Sequence, residues 1–289
     1  MRIPGLRGLS PWGVAKRAVK DFVDDDMVAY AAALAFRVLL ALFPFAIFLL
    51  TLLGALGRPV FFDWLFEQAQ TALPPGAAGR VEQVIGEVRG QANEGLLSFG
   101  IGFAVWVAAT AVRLLMKALN TAYDVEESRP AWKRFALSIV YTAGLAAMLI
   151  VAAGLMVVGP QAATWLAGQL GFGGLAVALW TWLRWPAAAL LLLVAVAVVY
   201  DVAPSIDRPF RIVTPGSVLA VAAWVAASLG FSFYVSVFGS YGATYGSLGG
   251  VVVMLLYFFI SAAVLLFGAE VNAAIHHAGE DHERAIRDG

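Results

Sequence analysis

Long apolar runs separated by short clusters of charge make up most of this chain. Phe135 to Leu183 and Ile212 to Ala269, 49 and 58 residues, contain no charged side chain. A helix crosses the hydrocarbon core of a bilayer in about 20 residues, so each run must hold two spans. With two more apolar stretches upstream, the pattern predicts six spans, at residues 29–56, 96–119, 135–158, 176–203, 214–238 and 247–275. Lipid offers no partner for backbone polar groups, which forces these segments into helices. Their apolarity is continuous rather than alternating, which excludes a transmembrane barrel. The predicted fold is an all-α polytopic membrane protein, one domain over residues 1–289, with a leader at 1–28 and a tail at 276–289.

Lysine and arginine set the orientation of such a bundle. Twelve fall in the leader, in the loops after the second and fourth spans, and in the tail. Only Arg58, Arg80 and Arg89 fall on the opposite side. Both termini are therefore expected in the cytoplasm. The first apolar stretch is too long for a signal-peptide core and is read as a retained span.

Composition narrows the function classes. Apolar residues make up 61% of the chain and charged ones 13%, against roughly 25% charged in soluble domains. Formal net charge is zero, so there is no broad electrostatic footprint for nucleic acid. The absence of cysteine removes disulfides and thiolate chemistry. His276, His277 and His282 lie in or beside the acidic tail without metal-ligand spacing. No phosphate-cradling GxxxxGK[ST] run and no GxSxG elbow occur. No metal, cofactor or enzymatic activity is expected.

Outside the spans, "SPWGVAKRAVKDFVDDD" opens on Ser10 as N-cap and Pro11 at the first helical position. Trp12, Ala15, Val19, Phe22 and Val23 share a face, which suits a short amphipathic helix on the membrane surface or one packed against the bundle. The external loop after the first span predicts two short helices broken at Leu73–Gly76.

Ionisable groups inside spans are costly and draw attention. Arg37, Arg113, Lys117 and Glu270 all fall in the cytoplasmic third, a depth at which Glu270 can pair with Arg37 or Arg113 as a structural ion pair. Thr110, Arg113, Lys117 and Asn120 step by three and four along one helix face, continuing to Asp124. That stripe lines a vestibule and meets anionic headgroups, or is simply a helix emerging into water. Ser228, Ser232, Ser236 and Ser240 recur every fourth residue on the fifth span, as a packing seam or a polar path. Arg184, among Trp180, Trp182 and Trp185, reads as an interfacial anchor. The 58-residue run must reverse, and its turn formers concentrate in "FGSYGATYGSLGG", where Gly239, Tyr241, Gly242, Tyr245 and Gly246 predict a tight external hairpin.

Four stretches carry a resemblance: "AAALAFRVLLALFP", "ALNTAYDVEESRPAWKR", "FSFYVSVFGSYGATYGSLGGVV" and "LLFGAEVNAAI". In this order they are similar to the YihY/BrkB family of bacterial inner-membrane proteins. Arg37 departs from the aromatic or apolar residue usual there, and Gly242 from a common asparagine. The resemblance implies six helices in the plasma membrane and, for some relatives, a lipid-translocating role. It also carries an older ribonuclease BN label, which the residues above oppose. The expected function is a transporter or lipid translocase. The alternative is a non-transporting scaffold for envelope integrity, working as a homo-oligomer or with envelope partners. Membrane lipids are expected partners in either case.

Overall fold

Ser10 begins the first helix as its sequence suggests: its hydroxyl accepts a hydrogen bond from the Gly13 amide at 3.0 Å, and Pro11 takes the first helical position. The computed structural model describes residues 10–55, 94–157, 174–206, 213–238 and 241–287. Among these residues the secondary structure is entirely helical. The helices are α1 (Pro11–Asp24), α2 (Met27–Ala55), α3 (Glu94–Ala122), α4 (Ala131–Val157), α5 (Gly174–Val202), α6 (Pro215–Phe238) and α7 (Tyr241–Arg287). Four helical stretches are long and apolar enough to cross a membrane: Gly102–Ala122, Ala178–Val202, Pro215–Ser236 and Gly249–Gly279. Met27–Leu42 is a shorter apolar stretch.

Each helix from α2 to α7 packs on its chain neighbour, and α7 returns to α2, so the bundle closes on itself. Its core joins Met27, Ala31 and Leu34 of α2 to Met116 and Leu119 of α3, Tyr200 of α5 and Leu266 of α7. Tyr200 is buried, and its hydroxyl donates to the Leu265 carbonyl. The α1 helix uses Val14 and Ala18 against Val271, Ala274 and Ile275 of α7, with Phe22 edge-on to Phe267. The face actually buried is thus rotated from the one the apolar pattern marked. Trp12, 79% exposed, lies with Val19 and Val23 on the outer side.

Two tight connections use aspartate where glycine is usual. Asp26 (φ 54°) joins α1 to α2, and Asp124 (φ 52°) ends α3. Amides of Asp124 and Val125 return to the carbonyls of Thr121 and Asn120, the two bonds of a Schellman cap. Both residues occupy the left-handed region, which aspartate tolerates better than most side chains.

The last helix corrects two expectations. It starts at Tyr241 rather than Ser247, so Tyr241, Gly242, Tyr245 and Gly246 lie in its first turns, while the contacts Trp224–Ser261 and Ser228–Tyr257 show α6 and α7 paired antiparallel as the predicted reversal requires. Gly239 and Ser240 lie outside the described residues, as does the predicted break at Leu73–Gly76. Helix is the economical state there because it satisfies the backbone without help from solvent. The helix also runs to Arg287, through the segment read as a tail. "HHAGEDHERAIR" is rich in alanine, glutamate and arginine, all strong helix formers. Pro44 and Pro186 are both carried inside continuous helices.

Close approach of α6 and α7 depends on a pair of glycines. A Cβ on Gly216 would stand 2.0 Å from the Gly268 carbonyl oxygen, and one on Gly268 would stand 2.7 Å from the Gly216 carbonyl. Asn272 fixes the crossing, accepting from the Gly216 amide at 2.8 Å and donating to Thr214 Oγ1 at 2.9 Å. Gly216→Ala is expected to lower the thermal midpoint in detergent, at a cost of about 1–3 kcal/mol from overpacking. Gly230→Ala, with nothing within 4 Å of the added carbon, leaves it unchanged or raised. Equal midpoints for the two variants would refute the glycine crossing.

Candidate functional site

The stripe on α3 faces a pocket of about 450 Å³ between α2, α3 and α4. Arg37, Arg113, Lys117 and Arg134 bring four cations to its wall, and Glu127 is its sole carboxylate. Arg37 reaches from α2 to donate to the Thr110 carbonyl. The Thr110 hydroxyl is turned back on Val107 of its own helix at 2.7 Å. Arg113 donates to Ser138 Oγ at 3.0 Å and lies 5.2 Å from the Phe135 ring centroid. Lys117 stands 5.9 Å from the Tyr30 ring, and the Tyr30 hydroxyl meets Thr121 Oγ1 at 3.3 Å. Arg37, Arg113 and Lys117 thus meet neutral partners or aromatic faces.

The carboxylate is committed elsewhere. Glu127 takes the Arg129 guanidinium on both oxygens, Nε at 2.6 Å and Nη2 at 3.0 Å, and the Asn120 amide at 3.0 Å. Arg129 extends the clasp to the Ala203 carbonyl at 2.8 Å, and Asn120 Oδ1 accepts from the Ser205 amide at 2.8 Å. The α3–α4 connection is thereby tied to the end of α5. Asn120 is buried with both ends of its amide engaged, so it lines the pocket as part of this clasp. Burial raises the Glu127 pKa, but the Arg129 and Asn120 hydrogen bonds outweigh it and hold the carboxyl below its ordinary range. A bidentate, charge-assisted pair of this kind is the strong form of an ion pair.

Glu270 does not join the arginines. It is fully buried on α7, and among the described residues neither carboxylate oxygen has a hydrogen-bond partner. The charges that bear on it are Asp25, Asp21 and Asp124, all acidic in type. Azimuth decides contact: α7 keeps Glu270 out of the lining of the α2–α3–α4 pocket. Asp25, at the head of this acidic side, is pushed above its ordinary range by burial first and then by Asp124, Asp21 and Asp24. His277 opposes that shift, and its Nε2 lies 3.8 Å from Asp124 Oδ2. Among the described residues no three of the histidines, aspartates and glutamates are grouped to hold a metal ion.

The serine row divides. Ser228 meets the Tyr257 hydroxyl at 3.1 Å across the α6–α7 contact, beside a Trp224 to Ser261 hydrogen bond of 3.1 Å. Ser232 is exposed, and Ser236, also exposed, bonds back to the Phe233 carbonyl. Trp182 and Trp185 are largely exposed, and Arg184 lies over the Trp185 ring at 5.6 Å. Arg134, Glu127 and Arg129 were missed from sequence, although "EESRPAWKR" concentrates their charges within nine residues.

A family model described as Virulence factor BrkB matches residues 18–288. A Bacillus subtilis relative named as the ribonuclease-like protein YfkH is 37% identical, over 85% of this chain and 89% of its own. A UPF0761 membrane protein of Pseudoalteromonas translucida is 25% identical over 88% of this chain and 82% of its own. A UPF0761 membrane protein of Xanthomonas campestris is 28% identical over 88% of this chain, which spans 58% of that longer relative. No solved structure matches.

The clasp sets a pH dependence. A carboxyl held below its unfolded value contributes stability in full above the ordinary carboxylate range and loses it as pH falls through the lowered value. Glu127→Gln is expected to destabilise the protein at pH 7 by on the order of 1 kcal/mol, the scale of one charged hydrogen bond partly open to solvent, and so to lower its thermal midpoint. The gap from the unsubstituted protein should close on acidification. A gap that stays constant down to pH 3 would mean that shape, not charge, holds the connection.

Proposed function

The chain belongs to the Virulence factor BrkB family of membrane proteins, and from that premise we propose that it is a transporter or lipid translocase. In this reading it crosses the plasma membrane six times, by α2 to α7, as a single domain with both termini in the cytoplasm. The observation that carries it is the pocket of Arg37, Arg113, Lys117 and Arg134. Cations are expensive at membrane depth and persist where they face an aqueous cavity or a substrate path. The lysine and arginine bias puts the mouth of this pocket on the cytoplasmic side.

Residues assigned to the path are Arg37, Arg113 and Lys117, with Asn120 as a fixed part of its wall and Thr110, outside the lining, orienting Arg37 through its carbonyl. Ser228 belongs to the α6–α7 seam in this reading, and Glu270 lies off the path. The ribonuclease-like name of the Bacillus relative is not carried over. A nuclease needs clustered ligands or a base beside a nucleophile, and among the described residues no three His, Asp or Glu side chains are grouped to hold a metal ion.

The full chain, reconstituted into liposomes with fluorescently labelled lipids, is expected to move label between leaflets faster than empty vesicles do. Arg113→Gln should slow that movement by about tenfold, the scale of one lost charge-assisted contact. Rates equal to those of empty vesicles across zwitterionic and anionic lipids would sink the translocase reading and leave a scaffold in its place.

A further inference from the structure

The pocket states what kind of group it takes. Four cations surround about 450 Å³ of space, and Arg37 and Arg134 stand close enough to Arg113 to repel it. Glu127, the carboxylate on the wall, has both oxygens on Arg129 and one also on Asn120. Arg37, Arg113, Lys117 and Arg134 make no ion pair among the described residues. A single negative charge leaves most of this repulsion in place.

We infer that the pocket binds a phosphate group carrying two negative charges, the head of a phosphomonoester lipid or free phosphate. This deepens the proposed function and rests on its reading of the pocket. A phosphate monoester carries about 1.5 to 2 negative charges at neutral pH and three strong acceptor oxygens. Planar arginine forks match such oxygens in pairs, and a lysine adds a point charge. Here the forks come from three helices: Arg37 on α2, Arg113 on α3 and Arg134 on α4. Two are already oriented by neutral partners, Arg37 by the Thr110 carbonyl and Arg113 by Ser138 and the Phe135 ring. Lys117 is exposed at the rim. The volume lies within the range of small-ligand sites and leaves room for an organic group attached to the phosphate.

The test uses the full chain in phosphatidylcholine nanodiscs. Inorganic phosphate is titrated in one arm. In the other, nanodiscs are doped with phosphatidic acid or phosphatidylglycerol, and co-purifying lipid is measured after delipidation. Phosphatidic acid retained over phosphatidylglycerol supports the inference and assigns the lipid headgroup. Saturable binding of inorganic phosphate without lipid preference supports it and assigns the free ion. In either case Arg134→Gln and Lys117→Gln should each weaken binding about tenfold, while Lys133→Gln, outside the pocket wall, leaves it unchanged. Lys117 is exposed, so its variant keeps the test open if an arginine variant misfolds.

No binding of either source overturns the inference. So does equal retention of phosphatidylglycerol without saturable binding of inorganic phosphate, or equal loss in Lys133→Gln. Binding is read without movement of lipid, so the two readings separate. Phosphate bound by a chain that moves no lipid refutes translocation alone. Lipid movement indifferent to phosphate charge refutes the phosphate site alone.

Discussion

The Glu127–Arg129 clasp governs the electrostatics of the charged end of the bundle. It joins the α3–α4 connection to the end of α5 through Ala203 and Ser205, and it takes the one carboxylate on the pocket wall out of play. Were Glu127 free to swing toward Arg113 or Arg134, it would offset part of the positive charge on the pocket wall. Because Arg129 holds it on both oxygens, the positive field survives. The same contact is thus a structural tie and the reason the neighbouring site stays charged.

Part of this was legible in the chain. The steps of three and four from Thr110 to Asn120 place those residues on one face of a helix whatever the surroundings, and the structure turns that face to the pocket. Ser10 and Pro11 mark a helix start by local chemistry, which needs no tertiary information. Arg134 and Glu127 were not legible as neighbours of Arg37, because their approach depends on how the α3–α4 connection folds back over the helix ends. Glu270 shows the limit of depth arguments. Hydropathy fixes how far a residue lies along a span but not which way it points, and α7 points Glu270 away from the arginines.

Glycines raised the same difficulty. The run from Phe238 to Gly250 looked like a turn on composition, yet Tyr241 onward is helix, since a helix needs no outside partner for its backbone. Gly216 and Gly268 drew no attention, because neither stands in a cluster. Their role is a contact distance between two helices, which a single chain of letters does not express.

The wall formed by α3 divides the charged end into two unlike environments. One side gathers Arg37, Arg113, Lys117 and Arg134 around open space. On the other, Asp21, Asp25 and Asp124 bear on a fully buried Glu270 that has no hydrogen-bond donor among the described residues. Nineteen basic and nineteen acidic residues cancel over the whole chain, but that total hides a local separation of sign. Cohesion between the two sides comes instead from the apolar contacts of Met116, Leu119 and Ala122 with α2 and α7. Hydrophobic packing of this kind does not depend on sign, so the bundle can keep opposite charges apart without ion pairs across its core. A chain whose charges all paired would be easier to fold and would offer no field to a ligand. Keeping the signs apart is what leaves the wall of the α2–α3–α4 pocket predominantly positive.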